Sequence, residues 1–397
     1  MNRPEGRQPL RCRALLAVGI LLSLANGAVA EFSVEPWIFV AELYDDNVYY
    51  SPEDELADYI TRVTPGLTLR LESARTELVV NASLDAEAYH RNRELDSLAA
   101  RKYADAGFTW RATRRLSFDA AVDYIETDTP FDLVPLTGGA VPGPLVGRSE
   151  AQRTSLSGAA TYRMTPALDT TVALRQVDDE LEGSGESRER AVEAFIDQRL
   201  SEQSVLSYGY LGRRFESMEE DAVLGARTAT QRYHTPWAGL SHDFSERTTV
   251  AIRGGPAFGE DSTEPYVLAS LKHATARGEW LMDYERSQTT LLGDAEVVQE
   301  SRISVSYSHL FRSGLGVEFA PNYLSVSGSR PGHDVYTNVL LGATWPLNRA
   351  VLLTAGYELS RQRTTFDGAS RVEIDRNVVH VGLRFSLPGN RTEDEEL

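Results

Sequence analysis

Seven histidines are the side chains best suited to acid–base or metal chemistry in this chain: His90, His234, His242, His273, His309, His333 and His380. A metal site of the common kind needs two ligands on one face, at HxxxH or HxxE spacing, and no pair here has it. His309 follows Ser308, and Asp243 follows His242. Neighbours on a strand point to opposite faces, so neither doublet forms a nucleophile–base or base–acid pair directly. The sequence has no Gly-x-Ser-x-Gly elbow and no phosphate-cradling glycine loop. Its single cysteine, Cys12, excludes a disulfide framework and a cysteine-rich metal centre. A net charge of −18 over 397 residues argues against nucleic acid as a partner, because phosphate binding needs a basic stripe. The expectation is no enzyme and no cofactor, with a site assembled from distant strands as the open alternative.

Charged residues recur instead at every second position of alternating segments. Leu78, Val80, Ala82, Leu84, Ala86 and Ala88 interleave with Glu77, Asn81, Ser83, Asp85 and Glu87. Leu116, Phe118, Ala120, Val122 and Tyr124 interleave with Ser117, Asp119, Ala121 and Asp123, and the pattern returns at 66–71, 302–308 and 378–385. A period of two places the two sets on opposite faces of β-strands, and no helical period competes over comparable length. The fold class expected is all-β.

Residues 1–30 read as a secretory signal peptide. Arg3, Arg7, Arg11 and Arg13 precede an apolar stretch from Ala14 to Leu24, and Ala28-Val29-Ala30 is a small-x-small cleavage pattern. Removing its four arginines and one glutamate takes the net charge from −18 to −21 and leaves no cysteine. After Ala30 no apolar run is long enough for a membrane helix. Short links near Ala74, Arg114, Pro166, Glu202, Glu246, Arg277, Ser313 and Arg349 alternate with longer, generally acidic connections at 45–58, 92–99, 128–149, 180–188, 217–228, 259–264, 292–298, 328–333 and 365–369. Eight turns and nine loops join 18 strands, with 16 as the alternative count. Short turns at one end and long loops at the other are the signature of a transmembrane antiparallel up-and-down β-barrel, here spanning residues 31–387, with an acidic periplasmic tail at 388–397.

A sandwich also alternates, so further features must place the apolar face against lipid. Several alternations persist for about ten residues, longer than the usual sandwich strand. Trp37, Trp110, Trp280 and Trp345 lie near the mature N-terminus or a short turn, as an interfacial girdle requires, with Trp237 the exception. The other face is charged too often to be a core. In a closed barrel it lines water, which makes Arg62, Arg70, Glu77, Asp85, Glu87, Asp119, Asp123, Arg175, Glu193, Asp197, Arg253, Glu318, Glu358 and Arg384 the candidate lumen lining. Inward Tyr89 and Phe195 are candidate sugar-stacking rings or simple packing. The loop 128–149 carries little charge, and Phe131, Leu133, Leu136 and Leu145 suggest a constriction or lid folded into the mouth, against the alternative of an exposed loop. The acids Asp45, Asp46, Glu53, Asp54, Glu55, Asp58, Glu219, Glu220 and Asp221 are read as solvated loop tips. Divalent bridging to surface lipopolysaccharide is the second reading for them.

Two segments carry resemblances. His380-x-Gly382-x-x-Phe385-x-Leu387 is similar to the terminal-strand signal read by the outer-membrane barrel assembly machinery, although ten residues follow it here. Tyr44-Asp45-Asp46-Asn47, followed by Val63-Thr64-Pro65-Gly66-Leu67, resembles the opening of a family of outer-membrane β-barrel porins found with exopolysaccharide or capsule production genes. The resemblance is specific over residues 32–75 and architectural elsewhere. It implies a Gram-negative outer-membrane conduit for exopolysaccharide or another hydrophilic solute, with outer-membrane lipid, lipopolysaccharide and polysaccharide export components as partners. The alternatives are a non-conducting barrel that anchors an export complex, and a barrel enzyme acting on lipid or polysaccharide.

Overall fold

The computed structural model describes residues 31–133, 141–142, 147–182, 185–221, 225–260, 262–292, 297–328, 332–366 and 371–387. The expected signal peptide (1–30) and acidic tail (388–397) lie outside them, as do Leu136 and Leu145 and the side chain of Phe131. The strands are β1 (Glu31–Asp45), β2 (Asp58–Glu72), β3 (Thr76–Tyr89), β4 (Ser97–Arg111), β5 (Leu116–Thr127), β6 (Val141–Pro142), β7 (Ala151–Thr165), β8 (Leu168–Leu181), β9 (Gly185–Arg199) and β10 (Ser204–Asp221). They continue as β11 (Gly225–Ser245), β12 (Thr248–Phe258), β13 (Thr263–Ala274), β14 (Gly278–Leu292), β15 (Val297–Leu310), β16 (Gly316–Ser327), β17 (Gly332–Pro346), β18 (Val351–Phe366) and β19 (Arg371–Ser386). Short 3-10 turns occupy Arg93–Leu95 and Pro130–Leu133.

Eighteen of these strands pair antiparallel with their neighbours in chain order, and β1 pairs with β19 to close the sheet. Closure through β1 and β19 removes the two terminal edges, as a sheet must to satisfy its backbone in hydrocarbon. The expected all-β barrel of 18 strands is what the structure shows. The even count returns the chain to the side it started from, where the Leu387 amide donates to the Pro36 carbonyl at 3.1 Å. All eight short turns stand at that end, the periplasmic one by the usual asymmetry of such barrels.

The register separates the faces. Val34, Ile38 and Val40 on β1, Val172 and Leu174 on β8, Ile252 on β12, Leu341 on β17 and Val379 and Val381 on β19 point outward and are exposed. Trp110, Trp280 and Trp345 are likewise exposed near the periplasmic rim. An exposed apolar belt around a closed wall defines a transmembrane β-barrel of the outer-membrane type. Trp37 departs from the expected girdle. It falls in the inward phase of β1 opposite Gly66, whose missing side chain leaves room for the indole, and the Arg384 guanidinium lies 4.3 Å from its ring centre.

The seam between β1 and β19 is the one wall contact that joins strands distant in sequence, and the Asp45-Asp46-Asn47 motif holds it. Arg376 donates to Asp45 at 2.7 Å, Asn377 donates through its amide and side chain to Asp46 at 2.7 Å, and Asn47 Nδ2 donates to the Asp375 carbonyl at 3.0 Å. Asp58 accepts from the backbone of Tyr59, Arg91 and Asn92. Asp45 and Asp58 are therefore buried structural acceptors, not the solvated tips expected, because the backbone donors of adjoining loops need them.

Candidate lumenal site

All fourteen charged residues singled out from the sequence fall in the inward phase of their strands, yet the structure uses them differently by height. Toward the extracellular mouth they are cross-braced. Arg62 pairs with Glu87 at 2.6 Å; Arg101 of β4 pairs with Asp85 at 2.8 Å, and Thr64 also donates to Asp85, at 2.7 Å. The Tyr89 hydroxyl donates to Glu87 at 2.8 Å and accepts from Arg148 at 3.0 Å, so this ring is packing rather than an open platform. Phe195 packs at 5.7 Å on Trp237. Glu358 accepts from Asn338 at 2.7 Å, while Glu318 stands opposite Ser308 and Gly342, and Arg70 opposite Val79. Asp123 stands directly opposite Asp105 on β4.

Lower in the barrel a cavity of about 690 Å³ opens against β3 to β14. Small side chains make the room: Gly107, Ala121, Ser157, Ala159, Ala173 and Ala191 all line it. Five carboxylates (Glu77, Asp119, Glu189, Glu193 and Glu285) face three guanidiniums (Arg175, Arg213 and Arg253) around this space. Arg253 pairs with Glu193 at 3.0 Å and lies over the Trp237 ring at 4.8 Å. A second cavity of about 440 Å³ adjoins it, where Asp197, Asp283 and Glu285 outnumber Arg253 and Arg302. Ser207 donates to Asp197 at 2.5 Å. The water-facing surface is thus mixed in sign with carboxylates in surplus.

Reading the sequence missed Arg153, Asp179, Glu189, Arg213, Glu285, Glu300 and Arg302. Arg153 and Asp179 pair at 2.5 Å, and Arg302 pairs with Glu300 at 2.9 Å, all four buried. The available signal was the strand phase itself. In the Arg213-Arg214 doublet one arginine must face each side, and Arg213, opposite Ala191 and Tyr233, takes the inside.

The mouth is filled from two directions. β14 pairs with β13 only as far as Arg286 opposite Val267, whereas its pairing with β15 continues to Thr290 opposite Val297. The top of the β14–β15 hairpin therefore leaves the wall and folds across the interior to β9 and β10. There Arg213 Nη1 donates to the Gln288 carbonyl at 2.9 Å and Nη2 to Gln288 Oε1, and Ser187 and Thr290 hydroxyls meet at 3.0 Å. Between hairpin and wall, Leu211, Phe215, Tyr233, Trp237, Ala257 and Tyr266 form a buried cluster. From the other side the segment after β5 enters the barrel. Leu133 packs with Ile125, Ala151 and Leu181, and its carbonyl accepts from Arg153 at 3.2 Å. Further along, β6 pairs parallel with Leu291 and Leu292 of β14, covering the edge that β13 gave up. Arg148 ties the same segment to Asp128 at 2.7 Å and to the Val48 carbonyl of the first loop at 3.3 Å.

Among the described residues no three His, Cys, Asp or Glu side chains converge as a metal site would need. Ser204 and His242 do meet, at 2.9 Å, on the outer face near the periplasmic rim. Asp243 lies on the opposite face, where it accepts from Thr249 at 2.6 Å, so it does not orient that imidazole.

No protein-family profile matches the sequence, and none of the curated proteins matches it. Among solved structures the chain is similar to OpdQ of Pseudomonas aeruginosa, with 11% identity and a TM-score of 0.43 over 90% of this chain and 98% of that one. It is similar to OccK7 (OpdD) of the same organism, with 14% identity and a TM-score of 0.44 over 91% and 100%. It is also similar to the siderophore receptor PirA of Pseudomonas aeruginosa, with 7% identity and a TM-score of 0.44 over 89% and 80%.

Proposed function

We propose that the protein is a porin-like conduit of the Gram-negative outer membrane that passes small hydrophilic solutes and favours cations. The observation that supports this best is the cavity of about 690 Å³ on the lumenal wall, lined by small and charged side chains with carboxylates in excess. Fixed charges at close quarters bias which ions enter a hydrated pore. β6 pairs with the infolded top of β14 across the mouth, an obstruction that favours a small solute over a polymer such as exopolysaccharide. His380, Gly382, Phe385 and Leu387 are the residues proposed to be read during assembly; Phe385 and Leu387 are exposed on the last strand and just beyond it.

A second reading has its own support. Among the described residues four buried apolar clusters lie in the interior toward the extracellular end, as expected for a closed barrel that serves as an anchor for polysaccharide export components. Reconstitution in planar bilayers separates the two. The conduit reading expects discrete single-channel steps and a reversal potential in a potassium chloride gradient that shows cation preference. Absence of steps with correctly folded protein would favour the anchor.

A further inference from the structure

The outer wall carries an arrangement that the lumen does not explain. Arg190 on β9, Arg214 on β10 and Arg232 on β11 stand directly opposite one another across three adjacent strands. All three belong to the outward phase and are exposed. Like charges facing each other on neighbouring strands repel at about 5 Å, so such a row is unfavourable without a counter-anion. The protein supplies too little. Glu216, in the next row, takes Arg214 at 2.6 Å and Arg190 at 3.6 Å, and Arg188 turns to Asp178. Among the described residues Arg232 makes no ion pair. In a chain of net charge −18 three opposed arginines are an anomaly.

Their height on the wall identifies the missing anion. Below Arg214 on β10 come Gly212 and then the exposed Tyr210 and Tyr208; below Arg232 on β11 comes His234, which hydrogen-bonds the Tyr210 hydroxyl. Val192 of β9, in the row of Gly212 and His234, and Leu240 and Ile252 further down are exposed apolar side chains. Tyrosines mark the upper membrane interface. Four residues of a tilted strand put the arginine row about 10 Å above Tyr210, at the level of headgroup phosphates. Just above the row a surface hollow of about 310 Å³ is lined by Arg188, Arg214, Thr228 and Thr230 but also by Asp178, Asp179, Glu180, Glu186 and Glu216, so an anion is held at the arginine row below it and not in the hollow. Outward arginines on the far side of the barrel are matched. On β18 and β19, Arg361 pairs with Asp375 at 2.5 Å, and Arg363 and Arg371 pair with Glu373 at 2.8 and 2.7 Å.

We infer that Arg190, Arg214 and Arg232 form a binding site for the phosphorylated headgroup of an outer-leaflet glycolipid. Guanidiniums suit phosphate because their planar forks donate in pairs, and the acyl chains would lie along Val192 and Leu240. The site is independent of whether the lumen conducts.

The test uses the purified barrel in detergent, native mass spectrometry, and bisphosphorylated lipid A beside its dephosphorylated form. Wild type is expected to retain the bisphosphorylated lipid and to bind the dephosphorylated one weakly. Each arginine near an anionic surface is worth about fivefold. Arg232→Gln should therefore weaken binding about fivefold, and the triple Arg190→Gln, Arg214→Gln, Arg232→Gln variant roughly a hundredfold. The Arg361→Gln, Arg363→Gln pair is the control and should bind as wild type. Equal binding of both lipids, equal loss in the control, or displacement by millimolar inorganic phosphate would each overturn the proposal. Heat-modifiable gel mobility reports folding; if the triple variant does not fold, Arg232→Gln, which breaks no ion pair among the described residues, decides the matter.

Discussion

Arg213→Ala is the perturbation that tests the lumenal reading most directly. The guanidinium is buried, donates twice to Gln288 at the tip of the infolded hairpin, and stands 4.0 Å from Glu189. Hydrogen bonds from a charged donor contribute roughly 1.5–3 kcal/mol each, so losing two removes about 3–6 kcal/mol of hairpin docking. That is a change of about a hundredfold or more in the ratio of docked to released hairpin. The substitution also strips one of three positive charges from the cavity while leaving all five carboxylates.

Two readouts follow in single-channel recording. Mean conductance should rise, because the released hairpin no longer crosses the mouth, and cation preference should rise, because the carboxylate surplus grows. A disulfide between Ser187→Cys and Thr290→Cys gives the converse experiment. Their hydroxyls meet at 3.0 Å, and the sole native cysteine, Cys12, lies in the expected signal segment, so mispairing has no partner in the mature chain. Oxidised, this pair should cancel the conductance gain of Arg213→Ala, and reduction should restore it. Folded Arg213→Ala protein with wild-type conductance and selectivity would refute the argument that the hairpin controls the path.

Three further outcomes are expected. Asp45→Ala removes the buried partner of half-buried Arg376 at the β1–β19 seam and should cost up to about 3–5 kcal/mol, measured as a lower urea midpoint for barrel unfolding in detergent. Gly66→Val puts a Cβ 2.1 Å from Trp37 Cζ2, so the indole must leave its place beside Arg384; a loss of about 1–3 kcal/mol and a shifted tryptophan emission should result. In the loops, the hydrogen bond from the Tyr49 hydroxyl holds the Glu94 carboxyl below its ordinary value. A depressed carboxyl stabilises above its unfolded value and loses that contribution as pH falls through the folded one. Tyr49→Phe should therefore move the Glu94 titration, followed by carboxyl chemical shift, upward toward 4.5.

Much of the wall was legible because lipid imposes a strict rule. Where one face must be apolar and the other wet, a two-residue period survives in the sequence, and it fixed strand positions, the eight turns and the inward phase of residues such as Asp119 and Arg253. Trp37 was misplaced by its type; its phase, odd on β1 with Phe39 and Ala41, already put it inside. Asp45 and Asp58 were read as solvated because they are acidic and lie at a loop. Their burial depends on Arg376 and on the backbone of Arg91 and Asn92, distant partners that no local pattern reveals.

The hairpin at the top of β14 and β15 marks where local pattern runs out, and the physics explains why. The outward phase of β14 reads Trp280, Met282, Tyr284, Arg286, Gln288 and Thr290. Its upper half has no apolar face to offer lipid, so the strand can leave the wall without exposing backbone to hydrocarbon. Polarity alone does not make it leave, since Arg361 and Arg363 on β18 are equally polar and remain in the sheet through their carboxylate partners. What distinguishes β14 is the supply of acceptable partners inside: Arg213 for Gln288, Ser187 for Thr290, and β6 for the edge abandoned by β13. Infolding is thus a competition between two sets of hydrogen bonds, and removing the inner set one donor at a time should return the hairpin to the rim.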